Sequence, residues 1–183
     1  PLDQGWWPDG LYTAPSDEAL LFDIKAMKAL EFNMIRKHIK IEPARWYMHC
    51  DREGILVWQD LPSPNLPSGY EDYAKKNFED ESKRIITAFR NHPSIIQWVV
   101  FNEGWGQFDT ERMTQIVIGE VGQSLVCCAS GWVDAPIGDI KDSHSYPNPS
   151  CPLDETRAGV CGEYGGITLK VQGHIWPGGD FQY

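Results

Sequence analysis

Ile95-Ile96-Gln97-Trp98-Val99-Val100-Phe101-Asn102-Glu103-Gly104 is the stretch on which the reading of this 183-residue chain turns. Its first seven residues are too apolar to show a face to water, so they read as a strand buried on both sides, the signature of a parallel sheet. The strand runs straight into Asn102 and Glu103, with Gly104 leaving the backbone room to turn. A carboxylate delivered by a buried strand is unlike an ordinary solvated loop glutamate.

Upstream, Asn91-His92-Pro93 stops an amphipathic helix from about residue 70 to 90, with Phe78, Ile85, Ile86 and Phe89 facing inward. A Pro-rich loop from Pro62 to Pro67 separates that helix from a strand at Ile55-Leu56-Val57-Trp58. Pro43 suits the first turn of an earlier helix, which carries Trp46, Tyr47 and Cys50 toward the core and ends at Gly54. Before it, Phe32 to Arg36 is a short apolar strand. The first helix is capped by Ser16, has Asp17 and Glu18 in its opening turn, and repeats Leu20, Ile24, Met27 and Leu30 at helical spacing. Downstream, Asp109 caps a helix to about Glu120, and short strands follow at Leu125 to Ala129, around Ile140, and at Ala158 to Cys161.

Strand–helix alternation predicts a parallel α/β sheet, because parallel neighbours need crossover connections. In such sheets the chemistry gathers at the carboxyl ends of the strands. Polar and aromatic clusters fall at those ends: Arg36 to His38, Asp60, Asn102-Glu103, Trp132, His144 to Tyr146, and Glu163. Six successive coincidences predict one shared pocket.

Composition narrows the partners. The net charge of −10 would repel nucleic acid and anionic membrane surfaces. No apolar run reaches the roughly 20 residues of a membrane span. The opening Pro-Leu-Asp is not a signal peptide, and the compartment stays open. Eight Trp and seven Tyr supply flat faces with polar edges, which suit sugar rings. Trp105 and Trp132 are expected as pocket walls, whereas most other aromatics, and Trp6, Trp7 and Trp176 among the loop ones, have no assigned role. The cysteines, at 50, 127, 128, 151 and 161, form neither a disulfide framework nor a zinc spacing and are read as buried free thiols. No cofactor and no metal site is expected. His92 and His49 read as structural, His144 as a sugar contact or a hydrogen-bonded structural residue, and His174 is unassigned.

Cleaving a glycosidic bond takes a proton donor on the leaving oxygen and a second carboxylate across the sugar. Cys161-Gly162-Glu163-Tyr164-Gly165-Gly166 repeats the pattern seen at Glu103, a glutamate at the end of a strand with glycines beside it. Together with Asn33-Met34-Ile35-Arg36-Lys37-His38 and Asn91-His92-Pro93-Ser94-Ile95-Ile96, these motifs resemble the (β/α)8 TIM-barrel domain of glycoside hydrolase family 2, which includes β-galactosidases, β-glucuronidases and β-mannosidases. The resemblance runs along essentially all of the chain.

It implies that Glu103, on the fourth strand, is the general acid/base and Glu163, on the seventh, the nucleophile of a retaining, β-galactosidase-like exo-glycosidase. It implies further that Asn102 bonds the sugar 2-hydroxyl, Arg36 contacts the nucleophile, His38 contacts sugar hydroxyls and Tyr146 orients Glu163. Asp60 falls where the family has acidic residues after the third strand. Glu103 must then hold a proton when substrate binds, and Glu163 must be ionised. A retaining mechanism implies carboxyl groups roughly 5–5.5 Å apart, against about 9 Å for inversion. Two other readings stay open: an endo-acting retaining glycanase on the same barrel, and a non-catalytic sugar-binding or structural fragment.

Counting strands, residues 1–183 are expected to form a single but partial barrel domain, beginning at the end of the first strand near Leu2-Asp3-Gln4 and lacking a recognisable eighth. A complete barrel takes about 250 residues. The family's β-sandwich domains would belong to a longer parent chain, and an oligomer is compatible with the reading. The partner expected at the site is a carbohydrate.

Overall fold

The computed structural model describes residues 1–63, 71–167 and 171–173. Within them, seven strands form one parallel sheet in sequence order: β1 (Leu2–Asp3), β2 (Met34–Lys37), β3 (Leu56–Asp60), β4 (Ile95–Asn102), β5 (Leu125–Ser130), β6 (Ile140–Ser145) and β7 (Ala158–Tyr164). Four helices form the crossovers of the first five strands: α1 (Asp17–Ala29), α2 (Ala44–Glu53), α3 (Asp72–Phe89) and α4 (Thr110–Val121). Among the described residues no strand joins β7 to β1, so the sheet is an incomplete (β/α)8 barrel with those two strands at its margins. His174, Trp176 and most of the Pro62–Pro67 loop lie outside the described residues.

Local chemistry sets the helix ends. The Ser16 hydroxyl accepts from the Ala19 N–H and opens α1, while Gly54 closes α2 in the left-handed conformation that glycine adopts freely. Asp109 is the N-cap of α4, but its side chain makes no capping bond; it faces Arg112 instead, at 3.7 Å. Two expectations shift by a turn. Leu30 is the exposed C-cap of α1 rather than core, and Phe32 is exposed, because the chain turns through a left-handed Glu31 before β2 starts at Met34. The strand–helix alternation also stops at β5. The connections 131–139 and 146–157 contain no helix; Arg157 fastens them, bonding Asp134 at 2.7 Å, Asp154 at 3.1 Å and the Ala135 carbonyl at 2.8 Å.

The main core lies between sheet and helices. Leu20 and Ile24 of α1, Trp46 and Tyr47 of α2, Ile86 of α3 and Met113 and Val117 of α4 are buried against Val57, Trp98, Val100 and Val126. A second cluster holds strand residues alone, Trp58, Val99, Cys127 and Ile140, one from each of four neighbouring strands, and so marks the concave face. Burying each such side chain contributes about 1.5–3 kcal/mol. This apolar layer is the floor on which the polar strand ends stand. Cys50, Cys127 and Cys128 are buried thiols, as expected, but Cys151, inside the helix-free β6–β7 connection, is exposed and Cys161, on the marginal strand β7, is half-buried.

Candidate active site

Arg36 is buried on β2 itself, and its guanidinium spans the floor of the site. Nε and Nη2 donate to the two oxygens of Asp60 at 3.2 and 2.9 Å, Nη2 also donates to Asn102 Oδ1 at 2.9 Å, and Nη1 donates to Glu163 Oε1 at 3.0 Å. Three strand ends are thus tied to one cation. Burial works against the charge on Arg36, but Asp60 beside it and then Glu163 hold it fully protonated. Burial alone would push the Asp60 carboxyl up; Arg36 and the His38 ring, 2.8 Å away, hold it below the usual carboxylate range.

Asp60 is 1% exposed, with its oxygens engaged by Arg36 and His38. Asn102 is also buried, and because Arg36 occupies its carbonyl oxygen, the amide nitrogen is the group left to donate.

Glu103 leaves β4 with φ 53°, followed by Gly104 at φ 79°, while its N–H donates to the Ser130 carbonyl at 2.8 Å. A left-handed non-glycine residue is a strained turn, of the kind that surrounding structure holds at functional sites. Glu163 sits on β7, and its Oε2 accepts a hydrogen bond from the Tyr146 hydroxyl. The two glutamates meet at His144, whose side chain is fully buried: Nδ1 lies 2.8 Å from Glu103 Oε1, and Nε2 lies 3.5 Å from Glu163 Oε1. One oxygen of each carboxylate and a ring nitrogen all lie within 4.8 Å of one another.

The two tryptophans expected as pocket walls are both exposed. Trp132 is 59% exposed and stands edge-on to His144 at 5.4 Å, and Trp105, 43% exposed, follows Glu103 on the β4 turn. A cavity of about 550 Å³ opens along the seam between β7 and β1, with Arg36, Trp58, Tyr146 and Glu163 in its lining. His92 and His49 are structural: His92 bonds Asp51 at 2.6 Å, and His49 bonds Asp17 at 3.1 Å. Two site residues were not foreseen, Ser130 at the end of β5 and Asp142 on β6. The signal for Asp142 was the alternation Ile140-x-Asp142-x-His144, which puts all three on one face of a strand.

An open parallel barrel with two carboxylates at its strand ends defines the class: a (β/α)8-barrel glycoside hydrolase. Residues 14–140 match the family described as "Glycosyl hydrolases family 2, TIM barrel domain", and the chain belongs to glycoside hydrolase family 2. It is 34% identical over 103 residues to a β-galactosidase of Oenococcus oeni, covering 51% of this chain and 10% of that protein. It is 32% identical over 99 residues to a β-galactosidase of Lactococcus lactis, covering 50% and 10%. The chain thus spans about a tenth of the length of the curated relatives it matches. Its fold is similar to that of a β-galacturonidase of the same family from Eisenbergiella tayi, with a TM-score of 0.68 at 20% identity, over 80% of this chain and 28% of that one. β-Glucuronidase 2 of Bacteroides uniformis superposes with a TM-score of 0.66, also at 20% identity, over 79% and 20%. Among the described residues no helix is long and apolar enough to cross a membrane.

Proposed function

We propose that this chain carries the catalytic site of a retaining exo-β-glycosidase, β-galactosidase-like in substrate class, with Glu103 as acid/base and Glu163 as nucleophile. The observation that carries this reading is the pair itself: two carboxylates on β4 and β7, with oxygens within 4.8 Å, in opposite surroundings. Glu163 accepts hydrogen bonds from a guanidinium and a phenol. Glu103 Oε1 lies 2.8 Å from the His144 ring. The spacing suits double displacement, since an inverting pair must stand farther apart to admit a water.

In the first step Glu163 attacks the anomeric carbon as Glu103 passes its proton to the leaving oxygen. In the second, Glu103 takes a proton from water as that water displaces Glu163. The Asn102 amide is placed to donate to the sugar 2-hydroxyl, a bond that strengthens in the transition state. Trp132 and Trp105 would wall the sugar, and His38 would meet its hydroxyls. In this reading residues 1–183 are the catalytic barrel part of a longer protein, with β-sandwich domains outside them.

The test is hydrolysis of a panel of nitrophenyl β-glycosides by the full-length protein. Release of nitrophenol from one of them, abolished by Glu163→Gln, is the expected result; an active Glu163→Gln variant would overturn the assignment.

A further inference from the structure

Two buried inner-face groups have no part in the roles assigned above. Ser130 is 0% exposed and Asp142 3% exposed. The Ser130 hydroxyl stands between Asp142 Oδ2 and His144 Nε2, the latter at 2.8 Å, and His144 Nδ1 continues to Glu103 Oε1 at 2.8 Å. The other Asp142 oxygen accepts from the Gly162 N–H at 2.6 Å. Any side chain at 162 would collide with this carboxylate, since a Cβ there would lie 2.2 Å from Oδ2. Asp142, Ser130, His144 and Glu103 thus form one unbroken chain of four polar groups.

With His144 neutral, counting protons along it leaves two consistent arrangements. A serine hydroxyl has one proton, and a neutral imidazole carries one on either nitrogen. In the first arrangement Ser130 donates to an ionised Asp142, His144 donates from Nε2 to Ser130, and the bare Nδ1 accepts from a protonated Glu103. In the second, a protonated Asp142 donates to Ser130, Ser130 donates to Nε2, and Nδ1 donates to an ionised Glu103. Both contain the same three protons. Conversion moves each across one hydrogen bond, and the net result is one proton carried between Glu103 and Asp142.

We propose that Asp142 is a positioning residue that shares a single proton with Glu103 through Ser130 and His144, and so sets when Glu103 acts as acid and when as base. The inference rests on the role given to Glu103 above. Once Glu103 has given its proton to the leaving oxygen, two protons remain in the chain. With Asp142 ionised, the Nδ1 lone pair then faces the Glu103 carboxylate, which favours recapture of a proton from the attacking water. Burial raises the Asp142 carboxyl, while the Ser130 hydrogen bond, the charge of Arg36 and His144 oppose the rise. The chain is faced by Arg36 from β2, Asp60 from β3, Cys127 from β5, Tyr146 after β6, and Glu163 from β7, which is 3.5 Å from Nε2.

The test uses the full-length protein and paired 4-nitrophenyl and 2,4-dinitrophenyl β-D-galactosides and β-D-glucuronides. In Asp142→Asn the amide donates to Ser130 and fixes the second arrangement, which withholds the proton from Glu103. The alkaline limb of kcat/KM should move to lower pH by about one unit. Activity should fall far more on the 4-nitrophenyl substrate, whose leaving group needs the acid, than on the dinitrophenyl one. Ser130→Ala, which cuts the chain and keeps both carboxyls, should show the same split. Equal losses on both leaving groups with an unmoved alkaline limb, in variants that unfold like the wild type, would overturn the proposal.

Nitrogen-15 NMR of the His144 ring in the unmodified protein gives an answer even where variants do not fold or no substrate turns over. A ring that stays neutral between pH 5 and 8 while its tautomers exchange supports the relay; one that gains a second proton like a free imidazole overturns it. A wild type inactive on every glycoside, or an active Glu163→Gln, strikes the assigned roles instead and leaves the NMR result standing.

Discussion

The guanidinium of Arg36, on the second strand, meets the carboxylate of Glu163, on the seventh, with Nη1 3.0 Å from Oε1. The same group is bonded at two points to Asp60 and at a third to Asn102. Four strands of an open sheet are therefore held in register by one buried cation.

Removing that cation should cost more than the loss of one catalytic contact. Arg36→Met leaves the Asp60 carboxylate buried with His38 as its remaining side-chain partner, and breaking a buried pair this way costs about 3–5 kcal/mol. Urea denaturation of the variant should show a loss of that size. Replacing both partners with apolar residues, Arg36→Met with Asp60→Leu, should recover part of it. A double variant no more stable than Arg36→Met alone would mean that Asp60 is not its principal counterion.

The two buried aspartates should give stability differences of opposite sign with pH. The folded-state carboxyl of Asp60 is lowered, so its contribution is present above the unfolded value of about 3.9 and fades as pH falls through that value toward the lower folded one. The advantage of the wild type over Asp60→Asn should shrink in acid. The Asp142 carboxyl is raised, so its ionised form works against folding near neutral pH, and this cost shrinks as pH falls from the raised value toward the unfolded one of about 3.9. The advantage of Asp142→Asn over the wild type should accordingly be largest near neutral pH and narrow toward pH 4. Urea midpoints measured across that range decide both.

Gly162 and Asp142 should behave as a coupled pair. Gly162→Ala places a methyl group against the buried Asp142 carboxylate and should destabilise by about 1–3 kcal/mol, as overpacking does. Asp142→Ala opens the space and should make the second substitution much less costly. Additive losses in the four-way cycle would show that the methyl group meets something else.

His92 and Asp51 tie the end of α2 to the entry of β4. Asp51 accepts from the Ser94 N–H at 3.0 Å and pairs with His92 at 2.6 Å. Asp51→Ala leaves both partly buried groups without that acceptor and should lower stability by about 1–3 kcal/mol, read as a lower thermal midpoint. Glycosidase kinetics of the variant should change little, because the tie lies at the opposite end of β4 from Glu103.

Much of this was legible in the sequence, for identifiable reasons. The run from Ile95 to Phe101 announces a buried strand because no face of it is polar, and Glu103 stands out just beyond its end, whereas Glu163 lies within the half-exposed β7 rather than after a buried strand. Arg36, Tyr146 and Asn102 were found with the help of the family resemblance, and the structure brings all three to one place. Asp60 was visible as an acid at a strand end, but its burial depends on how β2 and β3 align, which no local pattern states. Ser130 and Asp142 were passed over because a serine ending a strand and an aspartate within one look like solvated positions; only the curl of the sheet encloses them. The set of half-buried Asp3 with buried Lys37, Lys40 and Glu42 was invisible for the same reason: Lys37 is 1% exposed and bonds Asp3 at 2.7 Å and Glu42 at 2.9 Å, across 34 and 5 residues of chain. The missing helices after β5 reflect loops held by Arg157, a long-range tie that sequence spacing does not reveal.

The most direct test of the central claim is azide rescue of Glu163→Gly in the full-length protein, on a dinitrophenyl glycoside that the wild type cleaves. Removing the nucleophile should abolish turnover, and azide in its place should restore it while yielding the α-glycosyl azide, inverted at the anomeric carbon. Rescue that gives the β-azide, or a Glu163→Gly variant that hydrolyses the substrate unaided at the wild-type rate, would contradict the account.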